Sequence, residues 1–218
     1  SAQDVRTWGE TSSTASKNQN FILNEAWANY QFSERFALKL GRQILSYDNE
    51  RLIGALDWAM QGRSFDALKG IFKLTPSSKL ETVITYNNDD NDANDLPEKE
   101  VYNITEAGEI TKSLQIIHYQ YTGKNKLQFS AIALNQVLQN PSGTHYDMLT
   151  VGINSKKYFE NFGFFGSAYY QTGKNTAAQS KSAYQFSVNS DFIIIPKFNV
   201  VLGTEWLSGR NFDTDSGE

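Results

Sequence analysis

Hydrophobic and polar residues alternate one by one along most of this chain. In Ser182–Ile194, Tyr184, Phe186, Val188, Phe192 and Ile194 share one parity, while Gln185, Ser187, Asn189 and Asp191 share the other. A strand turns successive side chains to opposite faces, so the pattern makes one face apolar and the other hydrophilic. Phe198, Val200, Leu202 and Trp206 oppose Asn199, Gly203 and Glu205 in the same way. Leu127, Phe129, Ala131, Ala133 and Val137 oppose Gln128, Ser130 and Gln136, and Phe162, Phe164, Ala168 and Tyr170 oppose Ser167, Tyr169 and Gln171. The pattern predicts ten strands at about 3–9, 21–32, 35–47, 64–75, 79–88, 110–122, 126–138, 145–157, 162–173 and 181–209. The last is split at Pro196, which makes eleven segments. Most are well above the usual five or six residues and reach the roughly 9–11 that a tilted strand needs to cross a bilayer.

The connections carry an independent signal. Short turns are expected at Ser33-Glu34, Pro76-Ser77-Ser78, Gly123-Lys124-Asn125, Glu160-Asn161 and Pro196-Lys197. Longer polar loops are expected at Thr11–Asn20, Asp48–Arg63, Asp89–Glu109, Gln139–Thr144 and Lys174–Ser180. The two kinds alternate, as they do when tight turns lie at one rim of a membrane barrel and long loops at the other. Tyr30, Phe32 and Phe36, and again Tyr158, Phe159 and Phe162, bracket short turns, where rings suit a water–lipid boundary. The expected fold is all-β: an antiparallel up-and-down transmembrane β-barrel segment, with 1–218 forming a single domain.

Composition narrows the function. Of 218 residues, 39% are apolar and 13% aromatic, which excludes a disordered chain. The absence of cysteine excludes a disulfide scaffold, thiol catalysis and Cys-ligated metals. Net charge is −4, but Asp89–Ile110 alone holds eight acids and one base, leaving 19 basic and 16 acidic residues elsewhere. That balance excludes a strongly basic nucleic-acid surface. His118 and His145 lie in different predicted strands with no further ligands at metal spacing. His118 alternates with Gln120 on a polar face and reads as a wetted lumen or surface residue. The acidic run Asp89–Asp92 lacks the spaced ligands of a calcium loop, and no nucleophile or phosphate-cradling motif is present. The sequence points to no enzyme and to no cofactor.

One region rises above this background. Asn24-Glu25-Ala26-Trp27, Leu38-Lys39-Leu40-Gly41-Arg42-Gln43, Tyr47-Asp48-Asn49-Glu50-Arg51-Leu52-Ile53-Gly54 and Gly62-Arg63-Ser64-Phe65-Asp66 resemble, in order and spacing, the alginate export family of outer-membrane barrels. The resemblance implies a monomeric barrel of about eighteen strands, within the even-numbered range of such proteins, whose lumen of arginines and lysines passes an acidic polysaccharide. Eleven segments are too few for that barrel, so the chain reads as part of one. Lys39, Arg42, Lys69, Lys73 and Glu25 are the expected pore-lining residues. Arg51, Asp57, Trp58, Arg63 and Asp66 are expected in a segment that folds inward and narrows the lumen, its opposed charges paired. Strict alternation places Arg42 on the apolar face with Leu38 and Leu40. Because a midplane charge costs roughly 2–4 kcal/mol, a bulge is expected near Gly41. Lys79 and Lys156 share the polar face with Glu81, Asp191 and Glu205, so anion preference is not forced.

The reading that follows is a Gram-negative outer-membrane channel passing polar, anionic or saccharide-like solutes by passive diffusion. Its partners are the lipid bilayer, the solute and, through the loops, a second protein; nucleic acid is not among them. Two alternatives are a structural barrel partner in an envelope complex and a soluble β-sandwich carbohydrate-binding module. The channel reading requires Phe186, Val188, Phe198 and Leu202 to lie on the outside.

Overall fold

The computed structural model describes residues 2–4, 21–55, 63–86, 110–124, 126–140, 142–175, 177–195 and 198–208. All regular structure among them is β. Strands β1 (Ala2–Asp4) and β2 (Phe21–Leu23) form a short antiparallel ribbon. The remaining strands are β3 (Ala26–Ser33), β4 (Phe36–Gln43), β5 (Phe65–Thr75), β6 (Ser78–Tyr86), β7 (Ile110–Thr122), β8 (Leu127–Gln139), β9 (His145–Tyr158), β10 (Phe162–Lys174), β11 (Ser180–Ile195) and β12 (Phe198–Leu207). They form one ten-stranded sheet in which every strand pairs antiparallel with its neighbours in the chain and β3 and β12 are the edges. This is an up-and-down meander, open between its edges as part of a barrel is. A sandwich would stack two sheets face to face, so the sandwich alternative falls.

The predicted alternation of connections holds. Short links join β3 to β4, β5 to β6, β7 to β8, β9 to β10 and β11 to β12, and the longer ones lie between these hairpins. The links after β8 and β10 are compact, each closed by an asparagine. Thr144 N donates to Asn140 Oδ1 (2.8 Å) and Gln179 N to Asn175 Oδ1 (2.9 Å).

Three strand expectations change. Only Ala2–Asp4 of the first predicted strand is described, and it pairs outside the main sheet; residues 5–9 lie outside the described residues. The strand expected at 21–32 breaks at Asn24-Glu25, where the chain changes partner from β1 to β4. The strand expected at 35–47 leaves the sheet after Gln43, although its alternation continues: Gln43, Leu45 and Tyr47 are all buried. Periodicity reports which side of the chain is shielded, and here an inward-folding segment keeps the same two-sidedness without a ladder partner.

The pairing registers sort side chains into rows. One runs Phe36, Phe72, Leu80, Tyr119, Ala131, Ile153, Ala168, Phe186, Trp206 across β4 to β12. The adjacent row, on the opposite face, runs Ala37, Ile71, Glu81, His118, Ile132, Gly152, Tyr169, Gln185. The first face is open: Phe186 is 48% exposed, Val188 38%, Phe198 54% and Leu202 62%. A continuous apolar surface of this size needs a lipid or protein covering, and the four residues are not packed together in a dry interior.

The second face is concave. The Arg51 guanidinium Nη2 lies 2.6 Å from Glu205 Oε1 on β12. In a flat sheet β4 and β12 would be about 38 Å apart at ~4.8 Å per strand. The eight residues from Gln43 to Arg51 reach at most about 28 Å fully extended, and they are turned back on themselves. The sheet therefore curls around this segment.

Substituting Phe186 by arginine should lower folding stability in lipid vesicles by about 2–4 kcal/mol if the site lies near the bilayer midplane. Urea titration followed by tryptophan fluorescence reads this out. The same change at Gln185, one residue along and beside Glu205, should cost far less.

Candidate functional site

The concave face has two zones. Towards the rim of the longer links it is apolar: Phe65, Ala67, Val83, Leu114, Ile116, Ile132 and Leu134 are buried there. Leu45, Tyr47 and Ile53, from the segment 44–55 that follows β4, pack onto them. Burying such side chains stabilises by about 1.5–3 kcal/mol each relative to exposure. The inner wall is thus not uniformly hydrophilic, because the inward segment needs an apolar patch to stand on.

Polar contacts hold the tip of the segment. Asp48 and Glu50 adopt left-handed backbone conformations (φ 56° and 58°), which aspartate tolerates better than most residues. Glu50 N donates to Tyr47 O (2.9 Å), and Tyr47 N donates to Ile53 O (3.2 Å). The resulting turn points Asp48 at β7, where its Oδ1 accepts from His118 Nε2 at 2.9 Å, with only 6% and 4% of the two side chains exposed. The Tyr169 hydroxyl on β10 donates to Asn49 Oδ1 (3.0 Å) and accepts from Asn154 Nδ2 (2.9 Å). Its ring lies beside Gly152, where any Cβ would collide with it. Burial, reinforced by the Glu81 and Asp48 carboxylates, pushes the Tyr47 phenol well above its ordinary value, so it stays neutral.

Beyond the segment the inner wall is polar and its charges are interlocked. Glu81 is buried between two lysines: Lys69 Nζ lies 2.7 Å from its Oε2 and Lys79 Nζ 2.9 Å from its Oε1. Lys39 sits opposite Lys69 in register and rests over the Trp27 ring, 3.8 Å from its centroid. The Trp27 indole N–H donates to Glu25 Oε1 (3.3 Å). Gln185 Nε2 joins Arg51 on Glu205 Oε1 at 3.0 Å.

Of the sequence-predicted residues, Lys39, Lys69 and Lys73 fall on the concave face, with Glu25 beside Trp27 on the same side. Arg51 lies in the inward segment, and Arg63 is anchored at its far end, its N–H donating to Ala55 O (2.8 Å). Asp57 and Trp58 lie outside the described residues. Arg42 and Asp66 are corrections. The registers of β4 with β3 and β5 run through Gly41 without a shift, so Arg42 remains on the convex face with Leu38 and Leu40. It needs no bulge because Asp66 sits directly opposite. The guanidinium grips it in a fork, Nε to Oδ1 at 3.0 Å and Nη2 to Oδ2 at 2.7 Å, at the strand end away from the short turn. Asp66 accordingly belongs to this outward pair and not to the inward segment.

Sequence reasoning missed the anchors. His118 was expected to be wetted; it faces the lumen side but is dry, paired with a residue seventy positions earlier. Tyr169 and Glu205 were placed on the correct face by alternation, but nothing local marks them as partners of Asn49 and Arg51.

A sequence profile of the alginate export family matches residues 1–209. The chain belongs to the alginate export family. No curated protein matches it. The alginate export family is one of outer-membrane β-barrels, and its name gives polymer export as their task. The meander, the lipid-compatible convex face and the inward segment are the parts such a channel needs from one stretch of its wall.

Replacing Asp48 by alanine leaves His118 Nε2 buried without its hydrogen-bond partner, a loss of about 1–3 kcal/mol. The segment 44–55 should then become cleavable by added protease in folded, detergent-solubilised protein. The same change at the exposed Asn161 should have no such effect.

Proposed function

We propose that this protein supplies the wall of a Gram-negative outer-membrane channel that passes polar solutes by passive diffusion, with segment 44–55 narrowing the lumen. The observation that carries this is a single inward segment touching β7, β10 and β12 from its origin at the end of β4. Such a segment spans the concavity and reduces the space through which a solute moves. Lys39, Lys69, Lys73 and Glu25 face that space, and Arg51 and Arg63 frame the narrowing. The solute's route is set by wall charge and by lumen width, with no energy-coupled step. The convex rows meet acyl chains, and the ladder satisfies the backbone amides that hydrocarbon cannot.

The full-length protein in planar bilayers should show discrete ion-conducting steps. Replacing residues 46–52 by a short Gly-Ser link should raise the single-channel conductance. A folded, heat-modifiable protein that inserts and never conducts would defeat the channel reading and favour a structural role in an envelope complex.

A further inference from the structure

Building on that channel reading, we infer that Arg51 and Glu205 form an exchangeable pair, in which Glu205 stands in for a carboxylate carried by the passing solute. Among the described residues, the ion pairs on the concave face differ in exposure. Glu81 holds Lys69 and Lys79 from a buried position, with 5% of its side chain exposed, and Asp48 and His118 are dry. Arg51 and Glu205 are each half-exposed, at 38% and 39%, so a solute in the lumen meets both ends of this pair. A cavity of about 340 Å³ opens beside it, lined by Asn49, Arg51, Gln185, Ser187, Asn189 and Glu205. That volume falls within the roughly 300–1,000 Å³ of small-molecule sites.

The exchange follows from what each partner keeps. Parting a dry pair leaves a charge in a low-dielectric site, a heavy cost, so Glu81 and its lysines stay together as a solute goes by. Parting a wet pair costs little, because water covers both ends. Glu205 also retains a donor, since Gln185 Nε2 lies 3.0 Å from the same Oε1 that Arg51 holds. Arg51 meets Glu205 through Nη2, while a guanidinium offers five N–H donors in a planar fork. An incoming carboxylate can take that fork with both oxygens, a stronger and more directional arrangement than a single contact. A sugar hydroxyl brings no charge to replace that of Glu205. The Arg51 backbone stays put during the change of partner, because its N–H donates to Asn49 Oδ1 (3.2 Å), which also accepts from the Tyr169 hydroxyl. The pair therefore discriminates solutes by charge at the tip of the inward segment.

The test uses the full-length protein in planar bilayers, with a six-unit alginate oligomer and maltohexaose as blockers of the potassium chloride current. Arg51→Gln should weaken block by the alginate oligomer about tenfold, in the range of one lost charge-assisted hydrogen bond, and change block by maltohexaose far less. Glu205→Gln removes the internal competitor and should strengthen block by the alginate oligomer about threefold, in keeping with the small worth of a half-exposed pair. The double variant decides the matter. Because the two residues act through one another, Glu205→Gln should have no effect on the block in the Arg51→Gln background. An equal gain from Glu205→Gln in both backgrounds makes Glu205 a wall charge only and overturns the exchange. Heat-modifiable migration of each variant confirms that it is folded. Absence of any current overturns the channel reading together with this one. A conducting channel that the alginate oligomer does not block, or blocks without regard to Arg51, overturns the exchange alone.

Discussion

A peptide group in hydrocarbon has no solvent to bond to, so a sheet that faces lipid must pair every amide with a neighbouring strand. The architecture follows from that demand. Each of β4 to β11 pairs with the strands before and after it in the chain. The irregularities in register sit towards strand ends, at Gln31/Ser33, Lys73/Thr75, Thr111/Ser113 and Ile193/Ile195. Because pairing is continuous between them, rows of side chains keep their face across the sheet. The convex surface stays largely apolar, its exceptions including the Arg42–Asp66 pair and the bonded Gln115, Asn135 and Asp147, and the concave one is left free to carry chemistry.

The concave face is then dressed by a second layer only one segment thick. Its footing is apolar, Leu45, Tyr47 and Ile53 on Val83, Ile116 and Leu134, while its tip is positioned by directional contacts to His118, Tyr169 and Glu205. The division is physically sensible. Apolar contact supplies attraction without specifying orientation, and a buried hydrogen-bonded pair adds little net stability but penalises any arrangement in which its partners part. Gly152 shows the wall yielding to this layer, since its missing side chain is what lets the Tyr169 ring lie flat enough to reach Asn49.

What could be read from the chain alone was the part governed by neighbours in sequence. The alternation in Ser182–Ile194 assigned faces correctly because face depends only on parity, and the alternation of turn lengths held because hairpins are local. The site was legible by face but not by partner. Lys39 and Lys69 were placed on the wall, yet the capture of Lys69 by Glu81 depends on register between β5 and β6. Arg42 was misassigned for the same reason. Parity put it on the convex side, and only the pairing with β5 reveals that Asp66 stands opposite, making a displaced register unnecessary. His118 shows the limit most clearly, because its dryness comes from a segment distant in sequence that folds over it.

The bond between Arg51 and Glu205 joins a residue near the start of the sheet to one in its last strand. Local hairpins can zip as soon as their turns close, but this contact carries a long loop-closure cost and is favourable only after β12 is in place. The inward segment can settle onto β5 to β8 once those strands have formed, but its tip gains the Arg51–Glu205 pair only when β12 is in place.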